Sequence, residues 1–207
     1  MSKGRYIALE GAEGCGKSTH ATLLAADLAT PAVEAVVTRE TGGTAIGRRI
    51  RDILHDTETT HLAARAEALL TAADRAQHLH EVVLPALAAG RHVVSDRSVY
   101  STLAYQGHGR LLAVDEVRSI NDWAIEGVWP DLAIFLDVDP AVLAQRLRGR
   151  TLDRFELEDD EFHARVRRGF QEMVAGEPER WAVVDGNVAP DRVAAQIRRA
   201  VRERLGI

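Results

Sequence analysis

Short, nearly unbroken apolar runs at Tyr6–Leu9, Val33–Val37, His92–Ser95, Leu132–Val138 and Trp181–Val184 predict five strands. Between them, apolar residues recur every three or four positions. That spacing predicts helices over Ser18–Leu28, Ile46–Leu54, His61–Leu87, Val114–Ile125, Ala141–Leu147, Glu161–Val174 and Asp191–Leu205. Pro85 is expected to kink or split the longest of these. Strands that are apolar throughout, rather than alternating, suit a parallel sheet covered on both faces. The expected fold is therefore a three-layer α/β domain spanning residues 1–207. Residues 148–160 are strongly charged, break the periodicity and read as a mobile lid.

Composition removes several function classes. The 207 residues are 46% hydrophobic and 28% charged, too apolar for a disordered chain. No apolar window is long enough to span a membrane, and the first ten residues lack the apolar stretch of a secretory leader. The net charge of −5 argues against a nucleic-acid partner. The single cysteine, Cys15, excludes an internal disulfide and fits a reducing cytoplasm. The basic residues are almost all arginine, and Lys3 and Lys17 are the only lysines.

One of those lysines completes a phosphate loop. Gly11, Ala12, Glu13, Gly14, Cys15, Gly16, Lys17 and Ser18 fit G-x-x-x-x-G-K-[ST] without a gap, between a predicted strand and a predicted helix. Backbone N–H groups of such a loop face phosphate oxygens, Lys17 reaches the terminal phosphates, and the Ser18 hydroxyl, with Thr19 beside it, suits Mg2+ and the nucleotide. Neither lysine lies in an N-K-x-D sequence, so a guanine switch of that type is excluded. Two strands end in aspartate, at Asp96 and Asp137. Asp96 is the favoured metal carboxylate, because Arg97 follows it and can take a second phosphate. Asp137 is read as a structural strand end. The loop Arg39-Glu-Thr-Gly-Gly43 follows the second strand and is expected on the same rim as the phosphate loop.

Tyr6–Ser18, Thr38–Thr44, Ala72–Arg75, Asp96-Arg97, Leu103–Gly107, Leu152–Glu156 and Phe162-His163 form an ordered set. In their order and spacing the chain resembles the bacterial thymidylate kinase family over essentially its whole length. The resemblance implies transfer of the γ-phosphoryl group of ATP to dTMP, with Mg2+, in a cytoplasmic homodimer. It also implies that Arg97 and Arg51 hold the dTMP phosphate, and that Arg75 contacts the thymine edge near Ser101, Thr102 and Gln106. Tyr105 would crowd the ribose 2′ position, Glu13 would lie near the 3′-hydroxyl or the metal water, Glu40 would belong to the acceptor-side loop, and Arg146 would lie near adenine. The phosphate loop has no arginine, so Arg150 and Arg154 of the lid are the expected catalytic cations. Three positions depart from the family pattern. Thr41 replaces a proline, Ser98 stands where an aromatic or histidine is sometimes found, and Thr71 replaces a phenylalanine that stacks on thymine. A kinase for another nucleotide or nucleoside and a nucleotide-dependent switch are the competing readings. The second set of arginines (Arg51, Arg75 and Arg97) argues against the switch. His78 and His80 are not read as zinc ligands, and Trp123 and Trp129 are read as packing residues.

Overall fold

The computed structural model describes residues 4–207; residues 1–3, part of the stretch read as lacking a leader, lie outside the described residues. Five strands form one parallel sheet in the order β2-β3-β1-β4-β5. They are β1 (Tyr6–Glu10), β2 (Ala35–Arg39), β3 (His92–Asp96), β4 (Leu132–Asp137) and β5 (Trp181–Asp185). All five residues of β1 are buried, because it lies at the centre with β3 and β4 on either side. Successive side chains in a strand point to opposite faces. Tyr6, Val93, Ala133 and Phe135 enter one apolar cluster, while Ile7, Leu9, Val94, Ile134 and Leu136 enter the other.

The helices are α1 (Lys17–Leu28), α2 (Ala45–His55), α3 (Ala64–His78), α4 (Leu84–Ala88), α5 (Val99–Thr102), α6 (Val114–Ala124), α7 (Pro140–Leu147), α8 (Asp160–Gly176) and α9 (Pro190–Leu205). Helices α1 and α9 supply Leu24, Val193 and Ile197 to the second cluster. Helices α5, α6 and α8 supply Tyr100, Val117 and Phe170 to the first.

Several expected boundaries move. Strand β2 begins at Ala35, not Val33, and continues through Thr38 and Arg39, which pair with Ser95 and Asp96. An edge strand is held by its backbone ladder, so its polar end carries no apolar signal. The long helix is not split at Pro85. Residues Leu79–Val83 form a π-helical turn in which the Leu84 N–H reaches the Leu79 carbonyl. This wider turn relieves the clash between a proline ring and the carbonyl four residues back. Residues 99–109 form an unexpected element, a short helix capped by Ser98 that runs on as a π-helical segment, Leu103–Gly109. It is buried almost all round, so it lacks the polar face that makes a helix visible in sequence. Within the charged stretch after α7, Phe155 is buried and packs edge-on against His55 and Tyr105. Trp129 packs beside Tyr100, whereas Trp123 is 84% exposed, contrary to its reading as a packing residue.

Candidate active site

The C-terminal ends of β1, β2 and β3 open on a cavity of about 500 Å³. The phosphate loop forms its floor. Gly11 and Gly16 have φ of 137° and 99°, and a Cβ at Gly11 would lie 2.8 Å from the Leu136 carbonyl oxygen. The loop therefore needs glycine at both places. Lys17, almost buried, donates from Nζ to the carbonyls of Ala12 at 2.7 Å and Gly11 at 3.2 Å, with Cys15 Sγ 3.6 Å away. Gly14 and Thr19 line the mouth. Ser18 Oγ donates to Asp96 Oδ2, which brings the two expected metal-binding oxygens together. Asp137 instead holds Arg167 at 3.0 Å.

Arg97 follows β3 in the left-handed region, with φ of 73°. Its Nη1 donates to Gly11 O at 3.0 Å and Ser101 Oγ at 2.9 Å, and its Nη2 donates to Glu13 Oε1 at 2.5 Å and the Tyr105 hydroxyl at 3.2 Å. Tyr105 in turn donates to Glu13 Oε2 at 2.6 Å. Burial pushes the Glu13 carboxyl up, but Arg97, Lys17 and the Tyr105 hydroxyl outweigh it and hold the group below its usual range. Arg51 donates to Thr41 O at 3.3 Å. Burial, with the charges of Arg39 and Arg97 nearby, lowers its pKa. Three guanidinium groups thus crowd one wall, the electrostatic condition for binding an anion.

The acceptor-side loop is anchored from α3. Glu40 is buried and accepts from Arg75 Nε at 2.7 Å, while its Oε1 lies 2.8 Å from His78 Nδ1. Burial raises the Glu40 carboxyl, yet Arg75 and His78 together hold it below the usual value. Asp74 accepts from the Gly42 N–H at 3.0 Å, tying the turn after Thr41. Arg75 also donates to Asn121 Oδ1, to Ser98 O at 3.2 Å and to Thr102 Oγ1 at 2.9 Å. Thr71 and Gln106 line the cavity, and the Thr71 hydroxyl is turned back onto Ala68 O at 2.8 Å.

The two lid arginines part company. Arg150 lines the cavity and is more than half exposed, with Glu156 3.9 Å away. Arg154 does not line it; it donates to Leu54 O at 2.8 Å and to the buried Glu67 at 2.7 Å. The neighbouring Asp153 is 2.7 Å from His55. The second half of the charged stretch is thus rooted on α2 and α3, and its charge pattern concealed this. Arg146 reaches Gly186 O at 2.9 Å and Gly14 O at 3.5 Å, linking α7 to the loop after β5.

Sequence reasoning missed Glu10, Glu67, Asp74, His78 and Asn121, all buried polar partners of site residues. Glu10 accepts from Ser98 and Ser101 hydroxyls at 2.6 Å each. A glutamate closing the apolar run of the first strand, directly before Gly11, was the available signal.

A parallel sheet whose central strand runs into a phosphate loop, with further guanidinium groups lining the same cavity, defines a P-loop protein built to bring two anions together. The family described as Thymidylate kinase matches residues 9–197. The chain is 48% identical to a thymidylate kinase of Clavibacter sepedonicus, over 94% of this chain and 93% of that one. It is 47% identical to one of Synechococcus sp. (strain JA-3-3Ab), over 97% and 96%, and 39% identical to one of Clostridium novyi (strain NT), over 96% and 98%. The chain belongs to the thymidylate kinase family.

Proposed function

We propose that this chain transfers the γ-phosphoryl group of ATP to dTMP, giving ADP and dTDP, in the cytoplasm. The observation that carries the reading is one cavity lined by two sets of cations: Lys17 within the phosphate loop, and Arg51 and Arg97 beside it. Phosphoryl transfer between two phosphates needs positioning and charge neutralisation more than a strong base. Lys17 and the loop N–H groups would hold the ATP phosphates, and Arg97 with Arg51 the acceptor phosphate. To bind it, Arg97 keeps its Ser101 contact and exchanges part of its hold on Glu13. Tyr105 and Glu13 would contact the deoxyribose, and Arg75, Thr102 and Gln106 the thymine.

Ser18 and Asp96 fit Mg2+, which binds hard oxygen ligands and commonly takes only one or two protein groups beside substrate phosphates. When bound, the ion would neutralise charge on the ATP phosphates. Residues 148–160 act as the lid of a single domain. Arg150, on its free part, closes over the phosphates, while Arg154 secures the root. Arg146, held between the Gly14 and Gly186 carbonyls, would lie near adenine.

We also propose a homodimer. Ile46 and Ile53 on α2, Leu69 on α3 and Trp123 on α6 are exposed, and these three helices are neighbours. Exposed apolar side chains on neighbouring helices fit burial against a second copy. No helix among the described residues is long and apolar enough to cross a membrane.

The test is ADP release with MgATP against dTMP, dUMP, dCMP, dGMP, AMP, UMP and thymidine. Strong stimulation by dTMP supports the reading. Stimulation by a different acceptor assigns the site to another nucleotide, and hydrolysis that ignores every acceptor favours a switch.

A further inference from the structure

The cavity wall carrying Gln106 is backed by the same carboxylate that anchors Arg154 at the root of the lid. Glu67, on α3, is fully buried, and its oxygens take three donor side chains from two segments, Gln106 and Arg110 from one and Arg154 from the other. Oε1 accepts from Gln106 Nε2 at 2.8 Å and Arg110 Nε at 3.1 Å. Oε2 accepts from Arg154 Nη2 at 2.7 Å and Arg110 Nε at 3.2 Å. Two guanidinium groups therefore fix its orientation. A paired carboxylate accepts and does not donate, whereas a carboxamide has one donating and one accepting end. The end of Gln106 that meets Glu67 is its NH2. Its Oε1 has no partner among the described residues, and Gln106 lines the cavity. Arg75 lines the same cavity and has five N–H groups. Its contacts with Glu40, Asn121, Ser98 and Thr102 use four of them, leaving one on Nη1.

We propose that Glu67 is a positioning residue that sets the polarity of the Gln106 amide, so that the pocket selects a 4-oxo pyrimidine over a 4-amino one. This rests on the nucleotide-kinase reading of the site. Thymine and uracil present N3–H and a C4 carbonyl, which match one acceptor from Gln106 and one donor from Arg75. Cytosine presents a lone pair at N3 and an amino group at C4, so both contacts become like-to-like and desolvated groups go unpaired. A pocket whose amide is free to flip would serve either base.

The experiment compares kcat/KM for dTMP and dCMP in the wild-type chain, Glu67→Gln and Glu67→Asp. Glu67→Gln offers Gln106 a donor as well as an acceptor. Glu67→Asp keeps the charge that Arg110 and Arg154 require but withdraws it from Gln106. The expected result is a wild-type preference for dTMP that falls about tenfold or more in each folded variant. ATP binding serves as the control for folding. A parallel loss on both substrates, with the ratio unchanged, gives Glu67 a merely structural role and overturns the proposal. So does a wild-type chain that uses dCMP as well as dTMP, whatever the variants do. A wild-type chain that phosphorylates no pyrimidine nucleotide removes the underlying reading instead, and the proposal with it.

Discussion

Replacing Glu10 with glutamine should change how stability depends on pH. Glu10 ends β1 and is sealed beneath the phosphate loop, with a serine hydroxyl on each carboxylate oxygen. Burial raises its pKa from the ordinary 4.5 to about 7, and the Ser101 and Ser98 hydroxyls, Arg97 and Lys17 restrain the rise. The folded chain therefore keeps a proton that the unfolded chain releases between those two values. Stability falls with rising pH wherever the folded state binds more protons, so it should decline across this interval and level off above it. At about 1.4 kcal/mol per pH unit, the gap is worth about 3 kcal/mol. Glu10→Gln has no proton to lose. Relative to wild type, it should gain about 2.5 kcal/mol between pH 5 and pH 8, because part of the decline has already occurred at pH 5. Asp153 acts in the opposite direction and in another window. Burial raises its carboxyl, but His55 and the N–H groups of Glu156 and Phe155 prevail and hold it at about 2. The stability it supplies is present above its ordinary value of 3.8 and is lost as the pH falls through about 2. Urea unfolding followed by tryptophan fluorescence at pH 5, 6, 7 and 8 measures the difference, and histidines common to both chains cancel. Parallel stability curves for the two chains would refute the argument.

Four further outcomes are expected. Lys17→Ala should lower kcat by about 10²–10³-fold while leaving the melting temperature near wild type, as steady-state kinetics and a thermal melt will show. Arg150→Ala should cost on the order of 10³-fold in kcat, whereas Arg154→Ala should chiefly lower the melting temperature by stranding Glu67; comparing the two in both assays separates the roles. Thr71→Phe should tighten dTMP binding by about 1–3 kcal/mol through base stacking, read as a lower KM for dTMP with the KM for ATP unchanged. Trp123→Glu should shift a sedimenting dimer to monomer at micromolar concentration without unfolding it, because the side chain is exposed in the single chain.

Much of the site was legible because its chemistry is local. The phosphate loop needs glycines, a lysine and a hydroxyl at fixed spacing, and seven consecutive bonds cannot scatter them. The central strands β1, β3 and β4 were legible because strands covered on both faces require unbroken apolar runs, whereas the edge strands β2 and β5 leave Val37 and Val183 exposed. Arg97 beside Asp96 could be read for the same reason, since a strand end delivers adjacent residues to one rim.

What the sequence by itself determined was therefore the order of strands and helices, the phosphate loop and the inventory of charged groups on the rim. Tertiary structure alone decided how those charges were paired. Arg150 and Arg154 are alike in sequence, yet Arg154 meets Glu67, 87 positions away, and Arg150 faces the cavity. Glu40, Arg75, His78 and Asn121 close one buried network from three segments. The helix at 99–109 was hidden because burial on all sides erases the periodicity by which a helix is read. A long-range pair leaves no mark on the spacing of either partner, since its geometry comes from the packing of the elements that carry it.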